Sequence, residues 1–495
     1  MKTPQPWISI AWRRWGAVVA VASLFFGCTV GPNYHRPAVD SPESYRRAAS
    51  DTNTAPATNY FGELGWWEVY NDPQLQAFIN EALTNSWDIK IAAARVLEAE
   101  ASAQIVRSQF FPDISAGADL LTTRNSQKGP LPIPEGVKAQ RNFGEVFLSL
   151  SPYEVDLWGR IRRANEAARA RLFESQDARR LVRQTLVAQV ATTYFKLLEL
   201  DLELRIGRAA YANRTNSLSI TQSRQEGGVS SMQDVYQAKA LVATAQASIV
   251  NTLRLTEQTE NQMSILLGHN PGTIARQASL EDYPLRADVP PELPSALLER
   301  RPDIRGAEEE LVAANASIGQ AKAALYPQVS LTGAYGYQSV ALSDMFTGPA
   351  RMWQFGPSVT FPLFSGGRLR GNLKLTKATF EESVARYQQT VQNAFRDVSD
   401  ALVGYQRSRE FFERQQELTQ ADRDAAHLAA VRYEGGVVSY LEVLYNEQQL
   451  FDAELLLSQA RRDELLSVVE LYRALGGGWQ TSATNQIAAA TKPAE

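Results

Sequence analysis

The segment QEGGVSSMQDV, starting at Gln225, is written again as YEGGVVSYLEV from Tyr433, 208 positions further on. The same offset relates Gly159-Arg160 to Gly367-Arg368 and Leu267-Gly268 to Leu475-Gly476, so about 110 residues align without a gap. Upstream, Phe111-Pro112 aligns with Tyr326-Pro327 at an offset of 215, which makes the first copy seven residues longer between Pro112 and Gly159. A block of fixed length beside one of variable length pairs a constrained element with a loop-bearing one. Whatever this chain folds into has to be built twice.

The fixed block reads as helix. The chain has 23 prolines, yet none falls between Pro152 and Pro271 or between Pro362 and Pro493. In the second copy Phe380, Val384, Tyr387, Val391, Phe395, Val398, Leu402 and Tyr405 recur in steps of four and three, the spacing of a coiled-coil seam. Arg160 to Glu226 is 67 residues, or about 100 Å of helix at 1.5 Å per residue. Gly227-Gly228 and Gly435-Gly436 then supply the C-cap and turn that start a returning antiparallel helix.

The variable block alternates with period two. Val329, Leu331, Gly333, Tyr335 and Tyr337 interleave with Gln328, Ser330, Thr332, Ala334 and Gly336, and Val146, Leu148 and Leu150 alternate with Phe147, Ser149 and Ser151. Strands are expected at about 113–122, 143–155, 328–338 and 353–364. Their length and aromatic ends suit tilted membrane strands, although a small water-soluble sheet has the same pattern.

The chain start carries an export signal. Lys2, Arg13 and Arg14 precede a short uncharged run, Trp15 to Phe26, then Gly27-Cys28. That run is too short for a transmembrane helix. LFFGC resembles a bacterial lipobox, departing from its preferred Leu and small residue by Phe25 and Phe26, and Cys28 is the only cysteine in the chain. A lipid on Cys28 is expected, with no other cofactor. Residues 28–60 read as an extended tether, and Asp72-Pro73 as a helix start. A net charge of −4 gives no electrostatic case for nucleic acid, and His35, His269 and His427 stand apart at no metal-ligand spacing. No nucleophile–base order or phosphate loop marks an enzyme. Four strands cannot close a barrel, so strands in a bilayer would have to be shared among two, three or four chains.

Several motifs in order resemble one family. LLERRPDIRGAEEELVAANASIGQAKAALYPQVSL (Leu297 to Leu331), CTVGPNYHRP, GWWEVYNDPQL and the two EGGV tips are similar to the TolC-like outer membrane factors of Gram-negative bacteria, in the NodT-like lipoprotein branch. The resemblance implies a mainly helical protein with a β-barrel portion. Long helical hairpins would form a periplasmic tunnel, and four strands per chain would join a twelve-stranded transmembrane barrel in a homotrimer. It implies outer membrane lipid, a periplasmic adaptor and an inner-membrane pump as partners. The chain then divides into a signal peptide 1–27, the lipid-anchored tether 28–60, repeats at 61–268 and 301–476 with a linker 269–300, and a tail 477–495. At the tips, Glu442 matches the acidic ring that narrows the pore, and Asp234 is its repeat mate. Tyr445 stands where a second acid is expected. Tyr433 matches a latching tyrosine whose expected partner is Asp234, and Val438 replaces the latch arginine, with Arg432 one possible substitute. A lipid-anchored periplasmic scaffold or adaptor would also explain the hairpins and the anchor, but not the strands.

Overall fold

The computed structural model describes residues 29–40, 61–126, 136, 139–284 and 294–479. The signal peptide, Cys28, most of the tether and most of the tail lie outside the described residues. The helices are α1 (Trp66–Val69), α2 (Pro73–Asn85), α3 (Trp87–Ser108), α4 (Arg160–Glu226), α5 (Met232–Leu267), α6 (Pro294–Arg300), α7 (Pro302–Ala323), α8 (Arg368–Glu434) and α9 (Tyr440–Ala474). Four strands interrupt them: β1 (Ile114–Arg124), β2 (Gln140–Val155), β3 (Gln328–Ser339) and β4 (Arg351–Thr360). Both long helices, α4 and α8, are 67 residues. Among the described residues no helix is long and apolar enough to cross a membrane.

Neither compact unit of the chain is a repeat. One is built from the segment up to Pro37, Leu97–Glu174 and Ala307–Tyr387; the other from Ala38–Val96, Ser175–Gly306 and the chain from Gln388 onward. Each unit draws on both repeats, because α4 and α8 contribute to both.

The first unit holds the sheet. Its order is β1-β2-β3-β4, antiparallel throughout, so β1 and β4 are both edges. The β2–β3 register slips between Leu150 and Tyr153, where Pro152 has no N–H for the ladder. The fourth strand ends at Thr360, paired to Gln328 at the start of β3, and not at 364 as the sequence suggests. Pro327 just before Gln328 and Pro362 just past Thr360 have no N–H with which to extend the ladder. Leu120 and Leu121 are neighbours, so they point to opposite faces, yet they are 79% and 55% exposed. Neither face of this sheet is a protein core.

Residues 29–37 of the expected tether are extended but pinned. Val30 N–H donates to the Trp158 carbonyl (3.0 Å), Asn315 donates to the Pro32 carbonyl (3.1 Å), Arg163 donates to Asn33 (2.7 Å), and Tyr34 and Arg36 both donate to Glu308.

The second unit carries the main core. Phe61, Trp66, Leu75, Ile79, Tyr194, Leu197, Met263 and Tyr472 are all within 1% of full burial. The seam read from the sequence faces inward, with Tyr387, Val391 and Val398 fully buried. Two polar groups fasten this packing. Arg301 donates to Asp303 (2.7 Å), Asp397 (3.2 Å) and the Ala474 carbonyl (3.1 Å), tying the start of α7 to α8 and the end of α9. Asp72 caps α2, accepting from Gln74 N–H (2.8 Å) and Leu75 N–H (3.3 Å), and its other oxygen accepts from the buried Tyr194 hydroxyl (2.7 Å). Asp72→Ala removes the cap and strands that hydroxyl. The expected loss is about 2–4 kcal/mol, read as a lower urea midpoint of the helical circular dichroism signal, with Asp72→Asn losing less.

Candidate functional site: the paired hairpin tips

Each long helix ends in the same six-residue motif. In the first copy Gly227 N–H reaches the Ser223 carbonyl (3.1 Å), Gly228 N–H the Gln225 carbonyl (3.0 Å) and Val229 N–H the Arg224 carbonyl (2.9 Å). In the second, Gly435 reaches Val431, Gly436 reaches Tyr433 and Val437 reaches Arg432, at 3.1, 3.0 and 3.0 Å. This is a Schellman cap, which satisfies the last helical carbonyls and needs a left-handed residue. Gly228 (φ 76°) and Gly436 (φ 74°) provide it.

The side chains just past the turns differ between copies. In the first, Ser231 is the N-cap of α5. Its hydroxyl accepts from Asp234 N–H (3.2 Å), while the Asp234 carboxylate accepts from Ser231 N–H (3.0 Å) and the Ser230 hydroxyl (2.8 Å). The Ser231 N–H holds Asp234 below the usual carboxylate range, against a smaller opposing effect of burial. In the second copy Ser439 makes no side-chain cap. Glu442, in the position of Asp234, instead pairs with Arg432 across the turn at 2.8 Å. Tyr445 is exposed, its hydroxyl accepting from Gln449 (3.0 Å).

Between the two tips lies a small closed cluster. Ala238, Ala429, Tyr440, Val443 and Leu444 are buried together, with Leu218, Leu241 and Tyr433 against them. The Tyr433 ring sits 5.2 Å from the Tyr440 ring and under the Arg224 guanidinium at 4.6 Å. Deeper along the pair, Arg214 donates to the Leu241 carbonyl (3.2 Å) and Gln448 (3.1 Å) and covers the Phe451 ring at 4.8 Å. Ser217 donates to Glu447 at 3.4 Å. Burial pushes the Tyr440 phenol up to about 12 and raises Glu447 above the carboxylate range, the latter against Arg214.

Thus the structure brings Tyr433, Tyr440 and Glu442 to one junction. It does not join Tyr433 to Asp234 within a chain, because the capping box occupies that carboxylate. Val438 carries no charge, and Arg432 serves its own hairpin. Arg224 is the residue that sequence reading passed over. It is the repeat mate of Arg432, three residues before the first tip glycine pair, and that self-alignment is the signal that marks it. Among the described residues no three His, Cys, Asp or Glu side chains are placed to hold a metal ion.

The sequence matches the outer membrane efflux protein family in two blocks, residues 78–269 and 293–477, one for each repeat. The chain belongs to that family. It is 34% identical over 484 residues to the probable efflux pump outer membrane protein TtgC of Pseudomonas putida, covering 96% of this chain and 98% of the relative. It is 31% identical over 465 residues to the probable outer membrane lipoprotein SilC of Salmonella typhimurium, covering 93% and 98%. Among solved structures, the outer-membrane channel OprN superposes with a TM-score of 0.84 at 30% identity, covering 92% of this chain and all of that one. The open state of the Neisseria gonorrhoeae MtrE channel gives 0.81 at 28%, covering 92% and 99%. This family member is therefore an outer membrane efflux channel, and its sheet and hairpins are the channel fold.

The two tip acids respond to pH in opposite directions. Glu447 has a raised folded pKa, so its contribution is fully present below the ordinary carboxylate range and is lost as pH rises through the folded value. Asp234 has a depressed one, so its contribution is present above the ordinary range and is lost as pH falls through the folded value. Glu447→Gln is expected to slow amide exchange around the Tyr440 cluster at neutral pH and to flatten its rise as pH climbs out of the ordinary carboxylate range. Asp234→Asn should speed exchange of the first turn of α5 at neutral pH and remove its loss in acid.

Proposed function

We propose that three copies of this chain form one conduit, with twelve strands in the outer membrane and six helical hairpins in the periplasm. The observation that carries this is a four-stranded sheet with two open edges and two uncovered faces. In hydrocarbon every backbone N–H and C=O has to be paired within protein, so β1 of one copy must meet β4 of the next. Three copies follow from the resemblance to TolC-like channels, and the similarity to pump components supports an adaptor at the tips and an inner-membrane pump behind it. The conduit catalyses no reaction. The mass of the detergent-solubilised protein decides the copy number; a monomer or dimer that still conducts would overturn the shared barrel.

Cys28 is the lipid attachment site in this reading. Its support is its uniqueness and its place after Gly27, and the similarity to a lipoprotein adds to it. Cys28→Ser should abolish incorporation of a fatty-acid probe in cells, whereas undiminished labelling removes the lipid from the account.

The tips are the closure. Glu442 occurs three times around a trimer axis, with Tyr445 a turn further on, so three carboxylates and three phenols line the narrowest path. Arg432 shields each Glu442, an exposed pair worth about 0–1 kcal/mol and weakened by salt. Tyr433, clamped between Arg224 and Tyr440, holds the two hairpins of one copy together, and an adaptor opens the path by parting them. In planar bilayers, Arg224→Ala with Tyr433→Leu should raise single-channel conductance, and Glu442→Gln should lower cation selectivity. Wild-type conductance in the double variant would place the closure elsewhere.

A further inference from the structure

The two repeats also differ where strand gives way to long helix, and there the difference is one of charge. In the first copy each of the three arginines in the first turn of α4 has an acid. Arg160 makes a bidentate pair with Glu154 at 2.6–2.9 Å, Arg162 pairs with Asp156 at 3.3 Å, and Arg163 with Glu166 at 2.8 Å. Displaced by 208, Arg160 and Arg162 become Arg368 and Arg370, so the cations are kept. Their acids are not: Glu154 becomes Pro362, Asp156 becomes Phe364, and Glu166 becomes Lys374. Arg169 becomes Lys377. The first three turns of α8 thus carry four exposed cations, and no carboxylate occurs between Asp344 and Glu381. None of the four forms an ion pair with a described residue.

The segment that carried the acids Glu154 and Asp156 in the first copy is apolar and largely uncovered in the second. Phe361, Leu363 and Phe364 are 53%, 86% and 91% exposed. They directly follow Thr360, the last residue of β4, and only Ser365-Gly366-Gly367 separates them from the first cation. Arg370, Lys374 and Lys377 follow at four- and three-residue steps on one helix face, spanning about 10 Å. Arg368, with Asn372 and Thr376, faces a separate cleft of about 620 Å³ that also takes in Pro362. Apolar side chains at the strand end, then unpaired cations within two turns, is the profile of the boundary between hydrocarbon and headgroup.

We propose that the β4–α8 junction binds the headgroups of anionic phospholipids, with Phe361, Leu363 and Phe364 in the acyl layer and Arg368, Arg370, Lys374 and Lys377 on the phosphates. This rests on the reading that the strands cross the bilayer. The first repeat's junction neutralises its Arg160, Arg162 and Arg163 with its own acids and has no such preference. Each chain therefore presents one lipid-selective junction and one indifferent one.

The test uses the purified full-length protein in detergent, mixed with equimolar phosphatidylglycerol and phosphatidylethanolamine, with retained lipid read by native mass spectrometry. An excess of phosphatidylglycerol is expected on the wild type. Pro362→Glu with Phe364→Asp keeps every cation but restores the first copy's acids, and should cut that excess at least about fivefold. Each cation beside an anionic surface is worth roughly that factor. Arg370→Gln with Lys374→Gln and Lys377→Gln should do the same, and phosphatidylethanolamine retention should not change in this variant, which keeps the apolar residues. Phe364→Asp alone serves if the double variant fails to fold, judged by its helical circular dichroism. No phosphatidylglycerol excess on the wild type overturns the proposal, as does an excess that survives the substitutions. So does loss of the oligomer without any change in lipid, which would mean that the cations pair with another copy. Absence of the wild type from the membrane fraction would strike the channel reading instead.

Discussion

Two rows of unpaired backbone groups, along the outer sides of β1 and β4, set the terms for the rest of the structure. A sheet of four strands with exposed apolar side chains on both faces has no stable arrangement in water. In a bilayer the exposed side chains are in their proper solvent, but the open edges become intolerable. Copies of the same chain relieve both conditions by closing the ring.

Duplication explains how one backbone design serves positions with different duties. The tip turns are held by main-chain hydrogen bonds and two left-handed glycines, which leave the flanking side chains free. One copy spends its acid on a capping box at Asp234; the other releases Glu442 from the cap and pairs it with Arg432. The strand–helix junctions repeat this logic, with salt bridges at Arg160 and Arg162 in one copy and apolar residues with bare cations in the other. In both places the main chain keeps the two copies superposable while the charges make them unlike.

Efflux requires closure that can be undone. The junction between the tips is small, with one cluster around Tyr440 and one cation over one ring. Below it, the core around Tyr194 and Tyr472 is much larger. Free energy of packing is thus concentrated away from the tips, so the parting of the tips that we propose would leave the wall folded.

Much of this was legible in the residues themselves. The 67-residue helices follow from local facts: no proline, a steady three-and-four spacing, and a glycine pair at the end. The Asp72 cap and the strand alternation of β3 are equally local. What the sequence could not supply were the partners. That β4 stops at Thr360 depends on where β3 begins, since a strand lasts only as long as its neighbour does. That residues 29–37 are pinned depends on Glu308 and Asn315, more than 270 positions away. That Asp234 is taken by Ser230 and Ser231 and Tyr433 by Arg224 depends on which side chains arrive first within hydrogen-bond or van der Waals reach. Helix and turn propensities act over a few residues and can be read along the chain. Pairing energies act over a few ångströms, and only the folded chain decides which residues those ångströms contain.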